Sequence, residues 1–68
     1  PGNEEKGLAA FYYAYTLTQA GRWSEALPHL DRAIALSPDV KEYYNLRGVA
    51  LFKRKEFEQA AKNFQEAL

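Results

Sequence analysis

The stretch GVALFKRKEFEQAAKNFQEAL, residues 48–68, decides the fold, because it repeats the pattern of AYTLTQAGRWSEALPHLDRAI, residues 14–34, at an offset of 34 positions. Ala60 matches Ala26, Ala67 matches Ala33 and Leu51 matches Leu17. Conservative pairs at the same offset are Gly48 with Ala14, Phe57 with Trp23, Phe64 with Leu30 and Leu68 with Ile34. Self-similarity at a fixed period is the mark of a repeat architecture. The small residues let helix backbones approach closely, and the aromatic residues fill the wider gaps, as close-packed interiors require.

Working outward from these two stretches, the spacing predicts four helices, at about residues 4–20, 24–36, 40–54 and 56–68, with no strand alternation and no low-complexity segment. Asn3 is placed to cap the first, with Glu4 and Glu5 complementing the helix dipole in its opening turn. Gly21 supplies a permissive stop, and Ser24 is the expected cap of the second helix. Pro28 falls just past the positions where a missing N–H is harmless, so a loose first turn is expected there. Ser37-Pro38-Asp39 ends the second helix, and Asp39 with Glu42 has the spacing of a capping box. The basic run Lys53-Arg54-Lys55 suits the negative end of the third helix, and no glycine or proline marks the turn that follows.

Taken together, these positions resemble the tetratricopeptide repeat family, in two copies over about residues 7–68. Tyr44, Gly48, Leu51, Phe57, Ala60, Phe64 and Ala67 fall in that family's order, with Arg47 where leucine is usual. The first copy supplies Ala14, Leu17, Gly21, Trp23, Ala26, Leu30, Ala33, Leu36 and Pro38, with Ala10 in place of the large aromatic residue. The resemblance implies an all-α fold: two antiparallel helix pairs stacked as a short right-handed α-solenoid. Residues 1–6 are expected as a lead-in, 7–40 as the first repeat and 41–68 as the second. A second full period would run past Leu68, so the second repeat is expected to be cut short and to lack a capping helix. The stem of Arg47 is expected to lie along the core with its guanidinium reaching outward.

Composition narrows the function. The 68 residues carry nine basic and nine acidic side chains and no cysteine. Neutrality argues against a general electrostatic role on nucleic acid or an anionic membrane. The absence of cysteine removes disulfides and thiolate metal sites and suits an intracellular, cytoplasmic setting. The longest nearly apolar run, Leu8 to Tyr15, is far short of the roughly 20 residues of a membrane span, and the N-terminus has no signal-peptide pattern. The single histidine, His29, has no serine, cysteine or paired carboxylate at suggestive spacing, and the four glycines form no phosphate-binding loop. No enzymatic activity, metal or cofactor is expected.

The first helix of each pair is apolar on more than one face. Ala10, Tyr13, Ala14 and Leu17 form a stripe against the partner helix, while Leu8, Phe11 or Tyr12, Tyr15 and then Thr18 with Gln19 form a second. Glu42, Asn45 or Leu46, Val49 and Phe52 with Lys53 occupy the corresponding line on the third helix. In the tetratricopeptide fold this line faces a concave groove that receives peptides or a partner helix. The resemblance therefore implies a binding site at Leu8, Phe11, Tyr12, Tyr15, Asn45, Val49, Phe52 and Lys53. In one subtype the groove grips a terminal carboxylate with lysine and asparagine, but Phe11 and Tyr15 stand where that clamp begins. An apolar, aromatic-lined groove is the expectation, with tyrosine hydroxyls and Asn45 free to bond peptide backbone. Self-association through exposed repeat faces is the alternative, and RNA binding is disfavoured by both charge and period. The expected partner is thus a protein or peptide, or a second copy of the chain.

Overall fold

A computed structural model describes residues 2–68, so the lead-in reading of Pro1 lies outside the described residues. The described residues form four helices and no strand: α1 (Gly2–Gln19), α2 (Trp23–Leu36), α3 (Lys41–Lys53) and α4 (Phe57–Glu66). Residues 2–6, expected as a lead-in, are the opening turns of α1. Each helix packs on the next in the chain, and α1 also meets α3. Because the connections are only three or four residues long, neighbouring helices run antiparallel. The molecule is all-α, built from two helical hairpins.

Both hairpins turn through one set of hydrogen bonds. Arg22 N–H donates to the Leu17 carbonyl and Glu56 N–H to the Leu51 carbonyl, each at 2.9 Å, and these two pairs are again 34 positions apart. This bond closes a helix C-terminus by satisfying one of its free carbonyls. The connection between hairpins differs: Ser37 N–H donates to Ala33 O, and the Tyr44 hydroxyl donates to Pro38 O at 2.8 Å, tying the loop to α3.

The expected caps are corrected. Asn3 lies inside α1, while Arg22, Val40 and Glu56 hold the cap positions of α2, α3 and α4, none with a side-chain capping bond. With a turn of three residues, each second helix begins as soon as the preceding carbonyls are satisfied, which leaves no room for Ser24 to stand outside α2. Asp39 is likewise displaced by Val40, whose extended backbone leads into α3. Pro28 sits within an unbroken α2, on its exposed side.

The core has two joined parts. Ala14, Leu17, Ala26, Leu30 and Ala50 are buried together between α1, α2 and α3, and Ala10, Ala33 and Tyr43 are buried at the end nearer the interhairpin loop. Phe11 packs against both. In the second hairpin the small residue makes room for a ring: a Cβ on Gly48 would lie 2.6 Å from Cε1 of Phe64. The Arg47 side chain, one-third exposed, crosses between helices, its Nε 2.7 Å from Asp31 on α2 and its Nη1 donating at 3.1 Å to Asn63 on α4. Tyr13 departs from its expected place. It rests edge-on against His29 with ring centroids 4.4 Å apart, yet 56% of its surface remains exposed.

Candidate functional site

The second stripe of α1 and the facing side of α3 enclose an open groove of about 470 Å³. From the first hairpin come Tyr15, Thr18, Gln19 and Trp23; from the second come Asn45, Leu46, Val49 and Lys53. The helical period explains the grouping. Thr18 and Gln19 follow Tyr15 by three and four positions along α1, and Asn45, Val49 and Lys53 succeed one another at four positions along α3, so each set lies on one face.

Four of the eight expected site residues, Tyr15, Asn45, Val49 and Lys53, line this groove. Leu8 lies nearer the N-terminus of α1 in a second hollow, of about 290 Å³, shared with Glu4, Ser37, Asp39, Val40 and Tyr43. Phe11 stands between the two hollows, its ring 6.5 Å from that of Tyr15 on one side and 5.0 Å from that of Tyr43 on the other. Tyr12 is mostly exposed and meets Phe11 edge-on at 5.3 Å. Phe52 is placed apart: it does not line the groove, and its ring packs edge-on against Phe57 at 5.3 Å, toward the outer side of α4. The rotation between successive residues accounts for this, since Lys53 points into the groove and Phe52 is turned about 100° away.

Sequence reasoning misses two residues, Trp23 and Tyr43, and leaves a third, Leu46, as an alternative. Trp23, which in the sequence marks only the repeat pattern, forms part of the groove wall and carries Lys53 Nζ 5.6 Å above its ring, a cation–π distance. Asn45 and Leu46, alternatives in the sequence, both line the groove. Tyr43 was overshadowed by its neighbour Tyr44, although it is the aromatic residue that α3 buries, at 2% exposure, against Phe11. Burial, and then the charges of Glu42 and Glu4, push the Tyr43 phenol above its ordinary pKa, because each disfavours the phenolate.

The polar inventory of the groove is donor-rich. Lys53, the Asn45 and Gln19 amides and the Tyr15 hydroxyl all line it or its rim, and no carboxylate does. The Thr18 hydroxyl is engaged at 2.7 Å with Tyr15 O, which holds the helix rather than offering a donor. A further hollow, of about 530 Å³, lies between α3 and α4, lined by Tyr44, Arg47, Gln59, Lys62, Asn63 and Glu66. It is polar, and two of its groups, Arg47 and Asn63, already bond to each other. Among the described residues no cluster of three or more histidine, cysteine, aspartate or glutamate side chains is arranged to hold a metal, and no helix is long and apolar enough to cross a membrane.

Helical hairpins in tandem, with a groove along their first helices, define a helical-repeat protein. The chain belongs to the tetratricopeptide repeat family, whose model, described as Tetratricopeptide repeat, matches residues 13–68. Searches of curated proteins and of solved structures give no significant match. Members of this family generally mediate protein–protein interactions and act as non-enzymatic scaffolds, so the class of partner is a protein.

Proposed function

We propose that the chain is a protein-interaction module that takes an extended peptide or a partner helix along the α1/α3 face, with Tyr15 and Val49 as the apolar contact and Asn45 and Gln19 bonding its backbone. The observation that carries this reading is the open groove in which Tyr15, Trp23, Leu46 and Val49 bring apolar surface beside the Asn45 and Gln19 amides. Peptide recognition needs this combination, in which apolar pockets give specificity and amides satisfy main-chain groups. Leu8, Phe11 and Tyr12 extend the same face toward the α1 N-terminus.

A peptide selected on the protein from a random display library, titrated into isotope-labelled protein, tests it. Amide shifts concentrated on Tyr15, Gln19, Asn45 and Val49 are the expected outcome; shifts confined to α4 would contradict it.

One observation favours self-association as a second reading. Phe57 is 55% exposed, whereas its counterpart Trp23 is partly buried in the first hairpin. An apolar face of this kind is a natural contact for another helical hairpin, including one from a second copy. Sedimentation equilibrium of the wild type and of Phe57→Ala distinguishes the readings: a dimer lost in the variant supports assembly, and a monomer at high concentration removes it.

A further inference from the structure

The face proposed as the binding surface is electrically two-ended. At one end the groove beside Tyr15 and Val49 contains a single charged side chain, Lys53, and no carboxylate. The ion pairs among the described residues are Arg22 with Glu25, Arg47 with Asp31 and Arg54 with Glu56, so none of them occupies Lys53. Its ammonium is instead held over Trp23, at the groove wall. At the other end the hollow beneath Leu8 is lined by two carboxylates, Glu4 and Asp39, and by no cation. Lys41, the nearest basic residue on α3, lines a different hollow together with Glu42 and Asn45. The raised pKa of the Tyr43 phenol at this end has Glu42 and Glu4 among its causes, in keeping with a negative local field. Between the two ends runs the aromatic ridge Tyr15, Phe11 and Tyr43.

We infer that this face binds a peptide segment of another protein in one direction only, with a basic residue at Glu4 and Asp39, an apolar residue over Phe11 and Tyr15, and an acidic residue at Lys53. The inference rests on the α1/α3 face being the binding surface and adds the charge order of the ligand. The length of α3 sets the spacing. Its thirteen residues rise about 20 Å between the two ends, which an extended peptide covers in about six residues. Opposite charges at fixed separation select orientation because the reversed peptide would place like charges together at both ends.

The test is a selection of random dodecapeptides on the wild-type protein, repeated on Lys53→Glu and on Glu4→Lys/Asp39→Lys, with helicity of each variant checked by circular dichroism. The expected wild-type consensus has a basic and an acidic residue about six positions apart, always in the same order, flanking an apolar residue. Lys53→Glu should replace the acidic residue of the consensus by a basic one and leave the other end unchanged. It should also weaken the original peptide several-fold, about five-fold for an exposed pair, an effect that added salt diminishes. If a charge-reversal variant fails to fold, Lys53→Gln or Glu4→Gln/Asp39→Asn serves, with loss of the charge preference at that end as the expected result. A consensus without ordered charges, or the same consensus from the wild type and the Lys53 variant, overturns the inference while leaving the groove in place. Peptides that bind Tyr15→Ala as tightly as the wild type, or the absence of any selected peptide, overturn the groove and the inference with it.

Discussion

Lys55 adopts at φ 69° the left-handed backbone conformation that Gly21, 34 positions earlier, adopts at φ 77°. Both residues close the first helix of a hairpin, and both are followed by the N–H that bonds back to Leu17 or Leu51. The turn geometry is thus the invariant, imposed on glycine in one hairpin and on lysine in the other. A side chain in this region is disfavoured by about 1 kcal/mol or more. Lys55→Gly is therefore expected to raise stability by about 0.5–1 kcal/mol, while Gly21→Ala lowers it by about 1 kcal/mol, as read from urea unfolding midpoints.

Gly48 gives the opposite case, a helical glycine retained for space. Alanine would gain about 1 kcal/mol of helix propensity, but its methyl would overlap the Phe64 ring at Cε1 and Cδ1. Displacing a packed ring costs about 1–3 kcal/mol, so Gly48→Ala should be net destabilising by about 1 kcal/mol. Adding Phe64→Leu should recover part of that loss in thermal unfolding. At Gly7 the nearest atoms to an added Cβ are the Ser37 Oγ at 3.1 Å and the Tyr43 Oη at 3.3 Å, so Gly7→Ala should be close to neutral.

Arg47 joins three helices through Asp31 and Asn63. The Asp31 pair is exposed and screened, so Asp31→Asn should change stability by less than about 0.5 kcal/mol. Arg47→Leu also removes the donor to Asn63 Oδ1 of a buried amide, and a loss of about 1 kcal/mol is expected. A double-mutant cycle between positions 47 and 63 should give a larger coupling than one between 47 and 31.

Tyr43 is buried with its pKa raised, which fixes the sign of an alkaline effect. The folded state holds the phenol neutral, whereas the unfolded chain releases its proton near pH 10. That contribution is complete below about pH 10 and is lost as pH rises toward the folded-state value. The wild type should therefore lose stability above about pH 10 more steeply than Tyr43→Phe, whose side chain does not titrate. Unfolding curves of the two proteins at a series of alkaline pH values check the difference.

The hairpins were legible in the sequence because the 34-residue recurrence reports the close approaches that any such packing needs, Ala14 beside Ala26 in one copy and Gly48 against Phe64 in the other. The helix starts were not. Asn3, Ser24 and Asp39 have capping chemistry, but the hydrogen-bonded turns fix where each helix begins, and they select Arg22, Val40 and Glu56 for backbone reasons. The groove was legible as a line of residues along each first helix, which brought out Tyr15, Asn45, Val49 and Lys53. Trp23 was not, because its place in the wall depends on how α3 crosses the start of α2. Phe52 and Lys53 are neighbours in the chain, and only the rotation of α3 separates a residue facing Phe57 from one facing the groove.

The most direct measurement of the central claim is calorimetric affinity of one display-selected peptide for the wild type, Tyr15→Ala and Phe57→Ala, each confirmed helical. Truncating a groove aromatic residue should weaken binding at least ten-fold, about 1.4 kcal/mol or more, and truncating Phe57 should leave it within about two-fold. Unchanged affinity in Tyr15→Ala, with binding lost in Phe57→Ala, would contradict the claim and move the binding surface to the outer side of α4.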